Sequence, residues 1–518
     1  MYHTMASIIM SPAAEPPKKV CVVGAGMSGL AAARELRREG HAVTVMEQCG
    51  DVGGQWLYDP RTDADDLLGA AVPVKVHGSM YASVRLISPR ECMGFSDFQF
   101  VPRCGGAAAG RDARRFPGRR EVYCYLKDFC VAFGLDDAVR LNTRVVRVAM
   151  APQSSGGAAG DVKWQVTSVR VEPKGGEDGE AVEEVFDAVV VANGHYSQPR
   201  LPKIQGMEEW SRRQLHSHSY RVPDPYRDEV VVIVGCADSG LDIALDLSGV
   251  AKEVHLSAKS VEAATTTPAV SKMLANHAGI MRLHPPVGRL CEDGRVVFAD
   301  GSCVVADTVI YCTGYVYSFP FLDTGGVVTV DDNRVGPLFE HTFPPALAPS
   351  LSFVGVPMRV FAPWFFEAQA RWVAQVLSGR AALPPEQDML RAVQEDYRAR
   401  EMAGFPARYS HDIGLFKGTE IRGFVKRYTD LPDMEDWKME LFLTALGNMN
   451  EDRETFQDNE DYSDNVREGV RRWLSVAGAQ YQAAISAAAA PSDGDADADV
   501  AQVVPLHKPM PVPLKSEL

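Results

Sequence analysis

Two stretches of this chain repeat one phrase, VCVVGAGMSG at 20 to 29 and VVIVGCADSG at 231 to 240. Each lies inside a longer pattern, at 19 to 47 and 230 to 259: an apolar run, a glycine turn, a helix-forming segment and a second apolar run. Runs so uniformly apolar suit strands buried on both faces, the condition of a parallel sheet covered by helices. The pattern predicts an α/β fold with two dinucleotide-binding, Rossmann-like domains. Length points the same way, since 518 residues exceed what one hydrophobic core organises.

The second phrase is bracketed by FDAVVVANGHYSQPRLP (186 to 202) and ADTVIYCTGYVYSFP (306 to 320), buried-type strands that end in glycine and turn away. One domain is therefore expected to be inserted in the other. A first domain spans 19 to 200 and resumes at 313 to 485, and the inserted domain spans 201 to 312. The Ala/Pro-rich arm, 1 to 18, and the acidic low-complexity tail, 486 to 518, are expected to be disordered. The alternating run VKWQVTSVRV, between soft stretches at 151 to 161 and 171 to 184, predicts antiparallel strands. PWFFEAQARWVAQVLSG predicts a helix with Pro363 at its first position and Gly379 just past its end.

At the first phrase, Gly24 permits the sharp turn, Gly26 removes a side chain that would block a pyrophosphate, and Gly29 lets helix and strand approach. Ala25, Met27 and Ser28 complete the loop, whose helix start offers free N–H groups to an anion. Glu47 ends the next strand, where a carboxylate can accept ribose hydroxyls. The second loop comprises Gly235, Cys236, Ala237, Asp238, Ser239 and Gly240, with alanine in the middle glycine's place. Lys259 follows its second strand where the first site has an acid; an ammonium attracts the 2′-phosphate that a carboxylate repels. The second nucleotide is thus expected to be NADPH. With a flavin at the first site, the pair implies hydride transfer from nicotinamide to isoalloxazine.

A net charge of -15 argues against a nucleic-acid surface. The ten cysteines are scattered without a C-x-x-C pair, which suits a reducing cytoplasmic setting and removes a dithiol relay as the flavin's electron acceptor. No apolar run is long enough to span a bilayer, the short SIIM is too brief for a signal peptide, and the terminal KSEL has no consequence without entry to the secretory pathway. Molecular oxygen, which needs only a dry pocket over the flavin, remains as acceptor.

The chain resembles the flavin-containing monooxygenases, most nearly their plant S-oxygenation branch, from about residue 19 to about 430. The resemblance rests on GAGMSG, GGQW (53 to 56), HGSMY (77 to 81), SPRECMGFSDFQFVPR (88 to 103), FPGRREVYCYLKDF (116 to 129), ANGH near 193, HSHSYR (216 to 221), YCTGY (311 to 315) and FEAQARW (366 to 372). It implies reduction of FAD by NADPH, formation of a C4a-hydroperoxyflavin with O2, and oxygenation of a soft nucleophile, a small thioether or an amine. It also implies that Glu47 receives the adenosine ribose, that Gly54, Gln55 and Trp56 lie along the flavin, and that Gln369 stands near the isoalloxazine edge.

The family's identifying motif falls on WSRRQLHSHSY, where Trp210, His216 and Tyr220 match and Arg212 replaces a glycine. His216 and Tyr220 are thereby expected on the NADPH side, and His216 with His218 is read as a hydrogen-bonded linker, not a metal site. Where the family has a threonine or serine and then asparagine, this chain has Leu86 and Ile87. Ile87 is expected in the active-site wall with Asp238, either leaving the peroxide less protected or filling a drier pocket. The reading is an NADPH- and FAD-dependent monooxygenase acting on a small thioether, with a peroxide-releasing oxidase, amine N-oxygenation and a silent nucleotide-binding sensor as the alternatives.

Overall fold

The computed structural model describes residues 16–103, 110–152, 162–172, 178–414 and 418–488. The chain opens with β1 (Lys19–Val23), α1 (Met27–Arg38) and β2 (Ala42–Met46). After α2 (Arg119–Ala132) come β3 (Val139–Arg140) and an antiparallel meander of β4 (Thr143–Met150), β5 (Trp164–Arg170) and β6 (Val182–Phe186), then β7 (Ala188–Val191). The alternation read in VKWQVTSVRV is real: Trp164 and Val166 are wholly buried while Gln165 and Thr167 are partly exposed.

The short strand β8 (Gln198–Pro199) leads into a second unit, in which β9 (Arg213–His216), β10 (Val230–Val234), α3 (Asp238–Ser248) and β11 (Glu253–Ser257) follow in order. Helices α4 (Val261–Thr265) and α5 (Pro268–Asn276), strand β12 (Met281–His284), a small antiparallel sheet of β13 (Val287–Leu290), β14 (Arg295–Phe298) and β15 (Cys303–Val305), and β16 (Thr308–Tyr311) complete it. The chain leaves by β17 (Tyr315–Val316), which pairs antiparallel with β8. Arg200 N–H donates to Gly314 O at 2.9 Å, so entry and exit lie side by side. The remainder carries β18 (Leu322–Asp323), the hairpin β19 (Thr329–Asp331) and β20 (Arg334–Gly336), β21 (Leu351–Phe353) and α6 (Ala362–Leu377). Four further helices follow: α7 (Glu386–Met402), α8 (Gly418–Tyr428), α9 (Asp436–Glu451) and α10 (Asp464–Ala488).

Two five-stranded parallel sheets organise the molecule, in the orders β21-β7-β1-β2-β3 and β12-β11-β10-β16-β9. In each, the strand that precedes a glycine loop sits at the centre, where the winding reverses and a crevice opens beyond the strand ends. Both central strands are apolar because both faces are covered, though by helices on one side only: Val20 and Val22 pack toward α1 and α6 and Cys21 toward the β4-β5 meander, while Val231 and Ile233 pack toward α3 and α5 and Val232 toward the small sheet of β13 and β14. Helix α1 lies along α6. Helix α6 starts one residue earlier than its sequence suggests, with Phe361 as N-cap and Ala362 first, so Pro363 is second; Gly379 adopts φ +76 just beyond the C-cap Ser378. Helix α10 runs to Ala488, past the expected start of the tail at 486. Residues 1–15 of the arm, the stretch 153–161, part of the stretch at 171 to 184 and the tail from 489, with its KSEL, lie outside the described residues. Among the described residues no helix is long and apolar enough to cross a membrane.

Candidate active site

A cavity of about 550 Å³ opens at the ends of β1 and β7. Gly24, at φ +102, makes the turn out of β1; a Cβ there would stand 2.7 Å from Ala192 O. A Cβ on Gly29 would stand 1.8 Å from Gly24 O, so only glycine lets α1 start this close to its strand. Gly26 differs, because its backbone is extended and an added Cβ would meet Gly54 Cα and N, at 3.4 and 3.8 Å. Gly26 packs closely on Gly54, whose own Cβ position would stand 2.8 Å from Gly26 Cα, and both line the cavity. Gly54 faces it, at φ +57, and Gln55 and Trp56 follow on a short turn of 3-10 helix along the wall. Met27, Ser28 and Glu47 also line the cavity. The Glu47 carboxylate is held by two backbone donors, Ala25 N–H to Oε2 at 2.7 Å and Cys49 N–H to Oε1 at 2.8 Å. That fixes its orientation and leaves lone pairs on both oxygens.

Gln369 does not reach the cavity. It is wholly buried on α6, where its amide donates to Thr342 Oγ1 at 2.9 Å and accepts from Gly355 N–H at 3.1 Å. Gly355 is the wall residue. At φ +96, a Cβ on it would stand 2.3 Å from Ser28 Oγ, and its carbonyl meets His195 Nδ1 at 2.9 Å. Burial pushes the His195 imidazole down to about 4, so the ring is neutral near pH 7 and Nδ1–H is the donor to that carbonyl. His195 and Gly355 were not singled out from the sequence; the ANGH phrase carried the signal for the first, while nothing local marks the second.

The second glycine loop repeats the first turn. Gly235 has φ +117 with its Cβ position 2.4 Å from Cys312 O, and a Cβ on Gly240 would stand 2.0 Å from Gly235 O. Ala237 is the N-cap of α3, in extended backbone that suits alanine, and Cys236 and Ser239 are partly exposed beside it or just after. Lys259 stands exposed beyond β11, ahead of Ser260, the N-cap of α4.

Asp238, the first residue of α3, begins a stripe with Asp242 and Asp246. Arg453 Nη1 donates to Asp238 Oδ1 at 2.8 Å, and Arg453 Nη2 to Asp242 Oδ1 at 2.8 Å. Tyr81 donates to Asp242 at 3.1 Å; Ser83 and Tyr220 donate to Asp246 at 3.1 and 2.6 Å. Tyr220 is thus tied to α3 within its own unit, in that unit's buried core, while Tyr81 and Ser83 reach the same helix from the first. His216 is likewise wholly buried, its Nδ1 accepting from His218 N–H at 3.0 Å, and His218 Nε2 meets Val76 O at 2.8 Å. Burial lowers His216 to about 3 and His218 to about 4, so both are neutral linker residues. Arg212, in the place of a glycine, lies against Gly294 and donates to Ala306 O at 2.7 Å.

Ile87 is not a wall residue of the cavity. It packs against the cluster of Phe116, Ala445 and Phe456, the last of them in the segment that follows α9.

The flavin-binding monooxygenase-like family model matches residues 17–267 and 267–413. Flavin-containing monooxygenase FMO GS-OX-like 8 of Arabidopsis thaliana is 52% identical over 467 residues, 90% of this chain and 97% of that protein. This chain belongs to the flavin-binding monooxygenase-like family. The enzyme is therefore a flavin-containing monooxygenase whose cofactors are FAD and NADP. The structure of S-allyl-L-cysteine S-oxygenase from Allium sativum matches with a TM-score of 0.78 and 42% identity, over 89% of this monooxygenase and 99% of that chain. Tmm from Pelagibacter sp. strain HTCC7211 shares the fold, with a TM-score of 0.67 at 22% identity over 86% of this chain and 94% of its own. The first cavity suits a dinucleotide on its own evidence: Gly26 and Gly54 approach closely in its wall without side chains, and an oriented carboxylate, Glu47, lines it.

Proposed function

We propose that FAD occupies the first cavity, that NADPH binds at the second glycine loop, and that the enzyme oxygenates the sulfur of a small thioether. Its likeness to the garlic S-oxygenase, 42% identical over 89% of this chain, carries the substrate reading. The placement of the cofactors is supported by the side-chain-free backbone of Gly26 and Gly54 in the cavity wall and by Lys259, a cation suited to a 2′-phosphate.

Bound flavin supplies the electron pair that activates molecular oxygen. The protein contributes position and dryness. Gly26 and Gly54 leave room for a pyrophosphate at the start of α1, where N–H groups and the helix dipole favour it. Glu47, fixed by its two backbone donors, offers acceptors to ribose hydroxyls. Trp56, Met93, Val360 and Phe366 form an apolar wall that excludes water. His195 and Gln369 hold Gly355 through its carbonyl and its N–H, so this part of the wall keeps its shape. In the balance, one oxygen atom goes to sulfur, the other leaves as water, and NADPH with a proton provides the reducing equivalents.

The test is NADPH consumption measured with sulfoxide, N-oxide and peroxide formation across a panel of thioethers and amines. Sulfoxide formed in proportion to NADPH is the expected result. Peroxide equal to NADPH with every thioether would replace the reading by an oxidase, and preferential N-oxide would move it to amines. The oxidase alternative rested on Ile87, which packs against the cluster of Phe116, Ala445 and Phe456 and gives it no support.

A further inference from the structure

The helix that would present NADPH's pyrophosphate begins with an acid. Asp238 is the first residue of α3 and Asp242 lies one turn on, both on the same face. In the empty protein a carboxylate at a helix start is favourable, but an incoming pyrophosphate meets it as a like charge. The chain answers this from far along its sequence. Arg453, only 6% exposed, places its guanidinium across the first turn of α3: Nη1 to Asp238 Oδ1 at 2.8 Å, Nη2 to Asp242 Oδ1 at 2.8 Å, Nε to the same oxygen at 3.1 Å, and Nη2 to Asp238 O at 3.4 Å.

Its neighbours are anchored on both domains. Asp452 pairs with Lys272, and Glu454 meets Asn276 and His277 at 3.2 and 3.3 Å, all three partners on or just beyond α5. Gln457 donates to Leu86 O at 2.9 Å, and Arg85 donates to Asp458 at 3.0 Å. Residues 452–458 thus form a clasp from the first domain to the second, with Arg453 at its centre.

We propose that Arg453 is a positioning residue for the nucleotide of the second glycine loop: it neutralises Asp238 and Asp242 so that a pyrophosphate can approach the start of α3, and it holds that helix in place relative to the flavin cavity. The inference rests on the reading of the second loop as the NADPH site. Arg453 acts on the part that NADPH and NADH share, whereas Lys259 acts on the 2′-phosphate that only NADPH carries.

Titration calorimetry of the oxidised, flavin-loaded enzyme with NADP+ and NAD+ tests this without turnover. Arg453→Ala is expected to weaken both nucleotides by a common factor, on the order of tenfold, at unchanged flavin content. Arg453→Lys keeps the charge and loses the fork, and should fall between. Asp238→Asn removes the repelling charge while Arg453 remains, and should tighten both nucleotides. Unchanged affinities in Arg453→Ala, or weaker binding in Asp238→Asn, would overturn the assignment. If Arg453→Ala does not fold, Asp238→Asn decides. An unaltered enzyme that binds neither nucleotide would overturn the second loop's reading as well, whereas an unaltered enzyme that binds alongside an unaffected Arg453→Ala overturns this inference alone.

Discussion

At Gly26 the backbone is extended and an added Cβ makes ordinary contact with Gly54 Cα and N, at 3.4 and 3.8 Å, with no backbone overlap. Gly26→Val is expected to purify without FAD, read as flavin absorbance per protein, with a thermal midpoint near that of the flavin-stripped unaltered enzyme. Gly29→Val is the contrast: its Cβ would fall 1.8 Å from Gly24 O, so flavin and stability should be lost together. A Gly26→Val protein with full flavin occupancy would remove FAD from this cavity. Lys259 makes a second residue-level distinction. Lys259→Ala should raise the Michaelis constant for NADPH about fivefold to tenfold and leave that for NADH nearly unchanged; equal changes would put the discrimination elsewhere. Residues such as Gly26, Glu47 and Lys259 could be singled out from sequence because their roles follow from short spacings. His195, Gly355 and Arg453 could not, since each acquires its role from a partner far along the chain: His195 from Gly355, Gly355 from Gln369, Arg453 from Asp238.

Helices α1 and α6 both line the first cavity, and what joins them is ionic at its centre. Arg34, 2% exposed on α1, meets Glu367, wholly buried on α6, at 2.5 Å. Asp97 and Glu35 share Arg34 at 2.6 and 2.8 Å, and Ser96 donates to Glu367 through both its N–H and its hydroxyl. Removing Glu367 leaves Arg34 paired with Asp97 and Glu35 but takes a buried acceptor from Arg34 and Ser96. Glu367→Ala is expected to cost about 1 to 3 kcal/mol in denaturant unfolding, whereas Glu367→Gln, which keeps an acceptor for Ser96, should lose less. An unchanged midpoint in the alanine variant would show that α1 and α6 are held by apolar contact alone. The elements themselves were legible. The strand, turn and helix patterns at 19 to 47 and 230 to 259 appear as β1, α1, β2 and β10, α3, β11, because glycine spacing and unbroken apolar runs are local signals. The clasp after α9 was not, because its meaning lies in what it touches. The same reason accounts for Ile87: a comparison by position puts it near chemistry, while packing puts it against the cluster of Phe116, Ala445 and Phe456.

For the whole molecule, buried neutral histidines set an acid limit. His216 and His218 lie in the strand and turn that enter the second sheet, with imidazoles lowered to about 3 and about 4 from an ordinary 6.5. Unfolded chains bind these protons below about pH 6.5 and the folded chain does not, so stability is full above that value and falls as pH drops toward 4. Unfolding midpoints measured from pH 8 to pH 5 should therefore decline, and His218→Gln, which retains a donor for Val76 O, should shallow the slope. A midpoint insensitive to pH over that span would contradict the burial of these rings. The strand order of the two parallel sheets has a consequence in time as well. All strands of the second parallel sheet come from residues 213 to 311, whereas the first sheet cannot be completed until β21, Leu351–Phe353, pairs beside β7. A chain emerging from the ribosome can thus finish the later-beginning domain first, while the sheet that begins the sequence waits with an open edge at β7. Pulse-labelled hydrogen exchange during refolding should find the amides of β10 and β16 protected before those shared by β7 and β21, and until β21 arrives the exposed edge of β7 is where a chaperone or a second nascent chain would attach.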